Sequence, residues 1–481
     1  MGKAALCQTE NVDSRPQARR GDGIRALDRA KSEPPMTEPK PSPAPLAAHG
    51  ADPLSGRFVT PGDNVISLRA LLLAALTVGC TTIAGLRASH DVLTLAAALR
   101  QLGVTIIQQG DNWQVHGLGV AGLLQPHEPL QRGRAIHALP LLLGLLAPYG
   151  FVTRFAPGPR LTKATMAALT DGLGAVGARL EQDADGGLTL TGACLPLPVR
   201  RTLGTPAEPV KSALLLAGLQ IAGDSQIHEV VATRDHTEKL LAAFGADITV
   251  APDPDSDSVD IRLVGLPELR PQSISVPGDP SAAAFAIVAA LIIKGSDLLI
   301  ENVLINPLRT GLIDTLLGMG GDIQFLNQRE IAGEHTADLR VRSSWLKGTT
   351  VDRHHAGAML DDIAALAIAA AFAQGETVIT GLADMGERLD MLTAGLIANK
   401  VGVKSTPDSL TITGDSKVAG GGKVDSQGDA ALAMGFAVLG LASRQTVTIV
   451  DATAIAESFP GFVAAMTAAG GRFPVIRGAR S

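Results

Sequence analysis

Aromatic residues make up only 3% of the 481-residue chain, with two tryptophans and one tyrosine. An interior with so few rings must be filled by Ala, Leu, Val and Ile, which suits closely packed helices and sheets. Cysteine is equally scarce. Cys7, Cys80 and Cys194 are far apart, odd in number and without CxxC or metal-ligand spacing. That excludes a disulfide scaffold and a zinc ribbon and predicts a reduced, cytoplasmic setting with no metal. No apolar run reaches the roughly 18–20 residues of a membrane span. The N-terminus has neither a signal core nor the Ser/Thr of a myristoylation signal. Basic charge is not in excess either: a net charge of −6 without a long basic run argues against nucleic acid or an anionic membrane as partner. A small molecule or a protein is the expected partner.

What is present is length for two or three domains and 46% hydrophobic residues against 18% charged ones. Residues 1–50 mix both charge signs and contain the proline-rich tract EPPMTEPKPSPAP at 33–45, which reads as a disordered leader. Translation could begin at Met1 or at Met36. Residues 474–481 read as a short tail.

From residue 51 one pattern recurs about six times: a polar loop, an all-apolar helix, a Gly turn, a strand, an amphipathic helix and another strand. The apolar helices are carried by PGDNVISLRALLLAALTVG, RGRAIHALPLLLGLLAPYG, TPAEPVKSALLLAGLQIAG, PGDPSAAAFAIVAALIIKG, LDDIAALAIAAAFAQG and QGDAALAMGFAVLGLAS. Six alternating units predict an α/β fold with internal symmetry. A helix that is apolar all round must be wrapped by neighbours. Its N-terminus is then its one polar end, where free N–H groups and the helix dipole suit an anion. A cleft where six such ends converge is the candidate active site.

These stretches, with TRDHTEKLLAAFGA, NPLRTGLIDTLLGMGGDI and ADLRVRSSWLKG, resemble the 5-enolpyruvylshikimate-3-phosphate (EPSP) synthase family, most closely its glyphosate-insensitive subclass, over about 54–473. The resemblance implies a two-domain inside-out α/β barrel of six βαβαββ repeats, three per domain. Residues 63–277 would form one domain (repeats 1–3), and residues 51–62 plus 278–473 the other (repeats 4–6). It implies shikimate-3-phosphate and phosphoenolpyruvate as substrates, bound between the domains, in the shikimate pathway to aromatic amino acids, and no cofactor.

The scaffold matches the family better than the loops do. Where the resemblance implies a Lys-Ser pair on the substrates, the chain has Asn64-Val65, although Arg69 is kept. Pro140 takes the position of an arginine for phosphoenolpyruvate. Arg132, Arg134 and His137 lie nearby and could either compensate or be solvated. A phosphate-holding Ser-Ala-Gln becomes Ala207-Glu208-Pro209, and Glu208 would repel a phosphate. Arg234 matches a shikimate-phosphate contact. Asp361-Asp362 match the family's Asp-Glu pair, with Asp361 either the general base or only a helix cap. Glu387 aligns to the catalytic glutamate, but Gly386 stands for the Lys and Asp390 for the Arg, with Arg388 adjacent. Asp429-Ala430-Ala431 replace Asp-His-Arg, and Asp429 reads as a cap.

Two readings follow. One is a synthase with a rearranged site that uses Asp361, Glu387, Arg69, Arg234 and one of Arg132, Arg134 or Arg388. The other is a pseudoenzyme whose cleft takes a less anionic ligand or whose surface takes a protein. The related transferase on UDP-N-acetylglucosamine and RNA cyclisation are disfavoured, for want of a catalytic cysteine loop and of a basic patch or His signature.

Overall fold

The computed structural model describes residues 44–132, 136–184 and 186–474. Its helices are, in chain order, α1 (Asn64–Ala75), α2 (His90–Gln101), α3 (Ala138–Leu146), α4 (Lys163–Val176), α5 (Glu208–Gly218), α6 (His236–Ala243) and α7 (Pro280–Ile292). There follow α8 (Gly311–Gly318), α9 (Arg353–Ala358), α10 (Ile363–Phe372), α11 (Glu387–Ala398), α12 (Ala430–Ala442), α13 (Thr453–Ser458) and α14 (Phe462–Ala468). The six apolar segments are α1, α3, α5, α7, α10 and α12. Every residue of α3 and of α10 is buried, as expected for helices without a polar face. The amphipathic partners differ: α2 buries only Val92, Leu95, Ala96, Ala98 and Leu99, one stripe along the helix.

Strands gather into six small sheets. Ser55–Val59, for example, runs parallel to Asp297–Leu304, which pairs antiparallel with Glu334–Arg342, itself antiparallel to Asp322–Ile331. The same order of one parallel edge followed by antiparallel strands recurs in Arg200–Leu203, Asp224–Glu229, Val259–Val264 and Ile248–Pro252. It recurs again in Thr350–Val351, Gly375–Thr380, Ser409–Gly414 and Gly402–Thr406. Such repetition is what six sequence units predict.

Buried side chains form two hydrophobic clusters. One draws on residues 66–276 with Leu304, and the other on residues 48–58 and 282–469. The chain passes between them twice, and the two passages are bonded to each other. Asp63 N–H donates to the Pro277 carbonyl at 2.7 Å, and Asp279 N–H donates to the Pro61 carbonyl at 2.9 Å. Only glycine fits at this crossing, because a Cβ on Gly62 would sit 2.1 Å from the Gly85 carbonyl oxygen.

The start of the described chain departs from the expected leader. Within the expected leader 1–50, residues 1–43 lie outside the described residues, but Leu46–Ala48 form a strand antiparallel to Val447–Ile449, and Ala48 is fully buried. Its three consecutive apolar residues, of which Ala47 and Ala48 are buried, suffice for an edge strand despite the prolines before it. Helices α9 and α13 were not anticipated, since neither is long enough to show a period. Residues 475–481 of the expected tail also lie outside the described residues. Among the described residues, no helix is long and apolar enough to cross a membrane.

Candidate active site

The N-terminal ends of the apolar helices face a cleft of about 540 Å³. Its lining comes from both clusters: Asn64, Val65, Arg87 and Arg234 on one side, Asp279, Ser281, Arg309, Asp361 and Ala430 on the other. A smaller extension of about 160 Å³ adds Arg388, Ala431, Met434 and Phe459.

The helix ends are not vacant anion sites. Asp63 accepts from Ile66 N–H at 2.9 Å to cap α1, Asp279 caps α7 through Ser281 N–H at 2.9 Å, and Asp429 caps α12 through Leu432 N–H at 2.9 Å. Glu208 opens α5, and Asp362 precedes α10. Five of the six dipole ends thus already carry a carboxylate of the chain itself. The exception is α3, whose start at His137 has no side-chain cap.

The arginines of the cleft are equally occupied. Arg87 Nη1 lies 2.7 Å from Asp279 Oδ2, and Arg234 Nη2 lies 3.1 Å from Asp361 Oδ2. Buried Arg309 reaches Asp63 at 3.3 Å and Asp279 at 3.4 Å. Around the cleft the described residues supply six carboxylates, Asp63, Asp91, Glu208, Asp279, Asp361 and Glu457, against three arginines, Arg87, Arg234 and Arg309.

Electrostatics separates the adjacent pair Asp361 and Asp362. Burial works to raise the half-exposed Asp361 carboxyl, but the Arg234 guanidinium, with Arg309, holds it below the ordinary range. Asp362 is pushed up by burial to about 6, against the pull of Arg309. Two neighbouring carboxyls driven apart in this way are the raw material of acid–base work, one kept ionised and one holding a proton near pH 6.

The other residues singled out in the sequence fall in several places. Arg69 is not open to the cleft. It is 3% exposed, donating to Thr237 Oγ1 at 2.7 Å, Ser212 Oγ at 2.8 Å and the Val65 carbonyl at 3.0 Å, and it forms an ion pair with Glu208. Glu208 is therefore less a loose repulsive charge than the partner that consumes Arg69; despite burial, that arginine holds its carboxyl low. Arg132 is spent on backbone, donating to the carbonyls of Ala156 at 2.7 Å, Gly186 at 2.9 Å and Gly158 at 3.3 Å. Arg134 lies outside the described residues. Arg388 lines the extension, with its Nε 2.7 Å from Asp429 Oδ2, so Asp429 both caps α12 and neutralises that arginine. Glu387 and Asp390 are exposed on α11 and line neither space; Glu387 is not brought to Asp361.

The substituted positions are settled into local roles. Asn64 accepts from Ser89 Oγ at 2.5 Å and reaches Asp91. Pro140 is buried in the first turn of α3, where its missing N–H is no loss. Ala207 is the N-cap position of α5, followed by Glu208 and Pro209; Gly386 is the N-cap position of α11.

Arg87, Arg309 and Asp279 escaped the sequence reading as site residues, since GLRASH and NPLRTG carry no local signal of a partner some 200 residues away. A second group it missed joins the two clusters beside the cleft. His236 Nδ1 lies 2.7 Å from Glu334 Oε1, and Asn306 Nδ2 donates to Asp235 at 2.7 Å and Glu334 at 3.0 Å. Asp235, His236 and Glu334 are close enough together to share a metal ion, but Asn306 and Lys239 already engage the carboxylates.

Comparison with known proteins follows the same lines. Residues 48–466 match the family model described as EPSP synthase (3-phosphoshikimate 1-carboxyvinyltransferase). The chain is 43% identical to the 3-phosphoshikimate 1-carboxyvinyltransferase of Cereibacter sphaeroides over 433 residues, 89% of this chain and 97% of that protein. It is 44% identical to the same enzyme of Parvibaculum lavamentivorans, covering 89% and 96%. Among solved structures, EPSP synthase from Acinetobacter baumannii superposes with a TM-score of 0.81 at 33% identity, over 90% of this chain and all of that one. The enolpyruvyl transferase NikO from Streptomyces tendae, at 20% identity and a TM-score of 0.70, shares the fold.

Proposed function

The chain belongs to the EPSP synthase (3-phosphoshikimate 1-carboxyvinyltransferase) family, and from that premise we propose that it is a member of the glyphosate-insensitive subclass whose enolpyruvyl transfer from phosphoenolpyruvate to shikimate-3-phosphate is weak or lost. The proposal includes the division into an inside-out barrel of two three-repeat domains, residues 63–277 against residues 51–62 with 278–473. The separation of the two hydrophobic clusters supports that division.

One observation carries the functional reading: every described arginine that lines the cleft or its extension is already neutralised by a carboxylate. The transfer needs cations on two polyanions and a base on the accepting hydroxyl. Asp361, ionised and half-exposed, fits the base. Arg234, its partner, fits a phosphate contact once the pair opens. The rest is missing, since Asn64, Val65, Pro140, Pro209 and Ala431 offer no charge. A charge-assisted hydrogen bond contributes roughly 1.5–3 kcal/mol. Losing one lysine and two or three arginines would then cost on the order of 5 kcal/mol even with non-additivity, several thousand-fold in rate or affinity.

A second reading, the inactive ligand-binding or protein-binding module, is favoured by the Arg69–Glu208 pair, which turns a retained substrate arginine into a buried strut. One experiment tests both readings. Purified protein is incubated with shikimate-3-phosphate and phosphoenolpyruvate and phosphate release is measured. Little or no release is expected. Turnover on the scale of the Acinetobacter baumannii enzyme, abolished by Asp361→Ala, would overturn both.

A further inference from the structure

The cleft and its extension differ in chemistry. Arg87, Asp279, Ser281, Asp361 and Ser458 line both. The six residues that line the extension alone are Ala282, Phe285, Arg388, Ala431, Met434 and Phe459, five of them apolar. Ala282 and Phe285 lie three apart on α7, and Ala431 and Met434 three apart on α12, so each helix turns one face to the space. In each pair a small residue stands beside a large one, and the alanines leave the hollow that Phe285 and Met434 wall. That wall is fixed, because Phe285 and Phe459 both pack edge-on against Phe462, with ring centroids 6.4 and 5.6 Å apart. One cation faces it. Arg388 spends Nε on Asp429, and its terminal Nη groups make no hydrogen bond among the described residues. A phosphate in this space would exchange its water mostly for carbon, at a high cost. An apolar group would gain instead, and the volume of about 160 Å³ is close to that of an engineered apolar cavity of about 150 Å³ that takes up benzene.

We propose that the extension is a subsite for the compact apolar group, aromatic or branched, of a small monocarboxylate whose carboxylate meets the Nη groups of Arg388. The inference rests on the reading of a weak or lost transferase and names the less anionic ligand that its cleft takes. The balance of charge agrees. Arg388 already carries one carboxylate, Asp429, and Arg87 another, Asp279. A single further negative charge can share the unused donors of Arg388, whereas the double charge of a phosphate would also meet Asp279 and Asp361, which line the same space.

The probe is phenylacetate, which joins one ring to one carboxylate. Thermal-shift and calorimetric titrations are run on the full chain at matched ionic strength, with acetate, which lacks the ring, and benzyl alcohol, which lacks the charge, as controls. Phenylacetate is expected to give a saturable rise in Tm. It should bind at least about tenfold more tightly than either control, since a buried ring and a charge-assisted hydrogen bond each contribute on that scale. Ala431→Phe fills the hollow from a half-buried position in the first turn of α12, and Arg388→Ala removes the donors at a side chain 36% exposed. Each should weaken phenylacetate binding roughly tenfold or more. Far-UV circular dichroism checks that both variants fold, and Arg388→Ala carries the test alone if Ala431→Phe does not. No saturable shift with phenylacetate, equal affinity for either control, or unchanged affinity in a folded variant would overturn the proposal. Phosphate release is measured on the same preparation. Turnover with both substrates sinks the reading of a lost transferase, whereas absence of turnover together with absence of phenylacetate binding sinks this inference alone.

Discussion

Replacing Asp362 by Asn should stabilise the protein at neutral pH. Asp362 is 5% exposed, and burial pushes its carboxyl from 3.8 up to about 6. A carboxyl raised in the folded state binds a proton there more tightly than in the unfolded chain. Stability therefore falls as pH rises from about 4 to about 6, and the penalty is complete above that window. A carboxyl displaced this far costs about 3 kcal/mol once it is ionised. Asparagine cannot ionise, so it removes the penalty. No helix cap is lost, because Asp362 makes no side-chain cap bond to α10. Arg309 keeps Asp63 and Asp279. Tm would be measured for both proteins at several pH values between about 4 and 7.5, which brackets the window of the titration. The variant should be more stable by up to about 3 kcal/mol at pH 7, and the gain should fade toward pH 4. A variant that is less stable at pH 7, or whose gain does not change with pH, would refute the reasoning.

Two further predictions concern the frame of the site. Lys211, fully buried, holds Glu238 at 2.8 Å, Glu229 at 3.0 Å and the carbonyls of Thr233 and Arg234. Lys211→Met leaves two buried glutamates unpaired and should destabilise by about 3–5 kcal/mol, read as a fall in Tm that is partly recovered by adding Glu238→Gln. At the start of the chain, a protein beginning at residue 52 should be less stable than one beginning at residue 44 by roughly 2–3 kcal/mol, for loss of the Leu46–Ala48 strand; equal urea midpoints would show that strand to be dispensable.

The fold was largely legible because it is written in composition. Helices such as IAALAIAAAF and PSAAAFAIVAALI have no polar face, and burial is the only place for them. The site was legible only by position. That Asn64, Val65, Pro140 and Ala431 cannot hold a phosphate follows from residue type alone. That Arg69 is locked to Glu208, 139 residues away, or Arg234 to Asp361, 127 residues away, does not. Ion pairs between distant segments leave no periodic trace, so retained arginines read as available when they are spent. The same limit hid Arg132, which looked like a replacement cation and instead ties three backbone carbonyls.

The early strand Leu46–Ala48 has a consequence for synthesis. His49 hydrogen-bonds Thr446, 397 positions further on, and Ser55–Val59 waits for Asp297–Glu301. The cluster of residues 66–276 is nearly contiguous and can close while translation continues. The other cannot be sealed until the last repeat emerges. At roughly 5–20 residues per second, its opening strand waits roughly 20–80 s with an unpaired edge. During that interval the nascent chain is most exposed to misassembly, and a slow stretch of translation or a chaperone would act there.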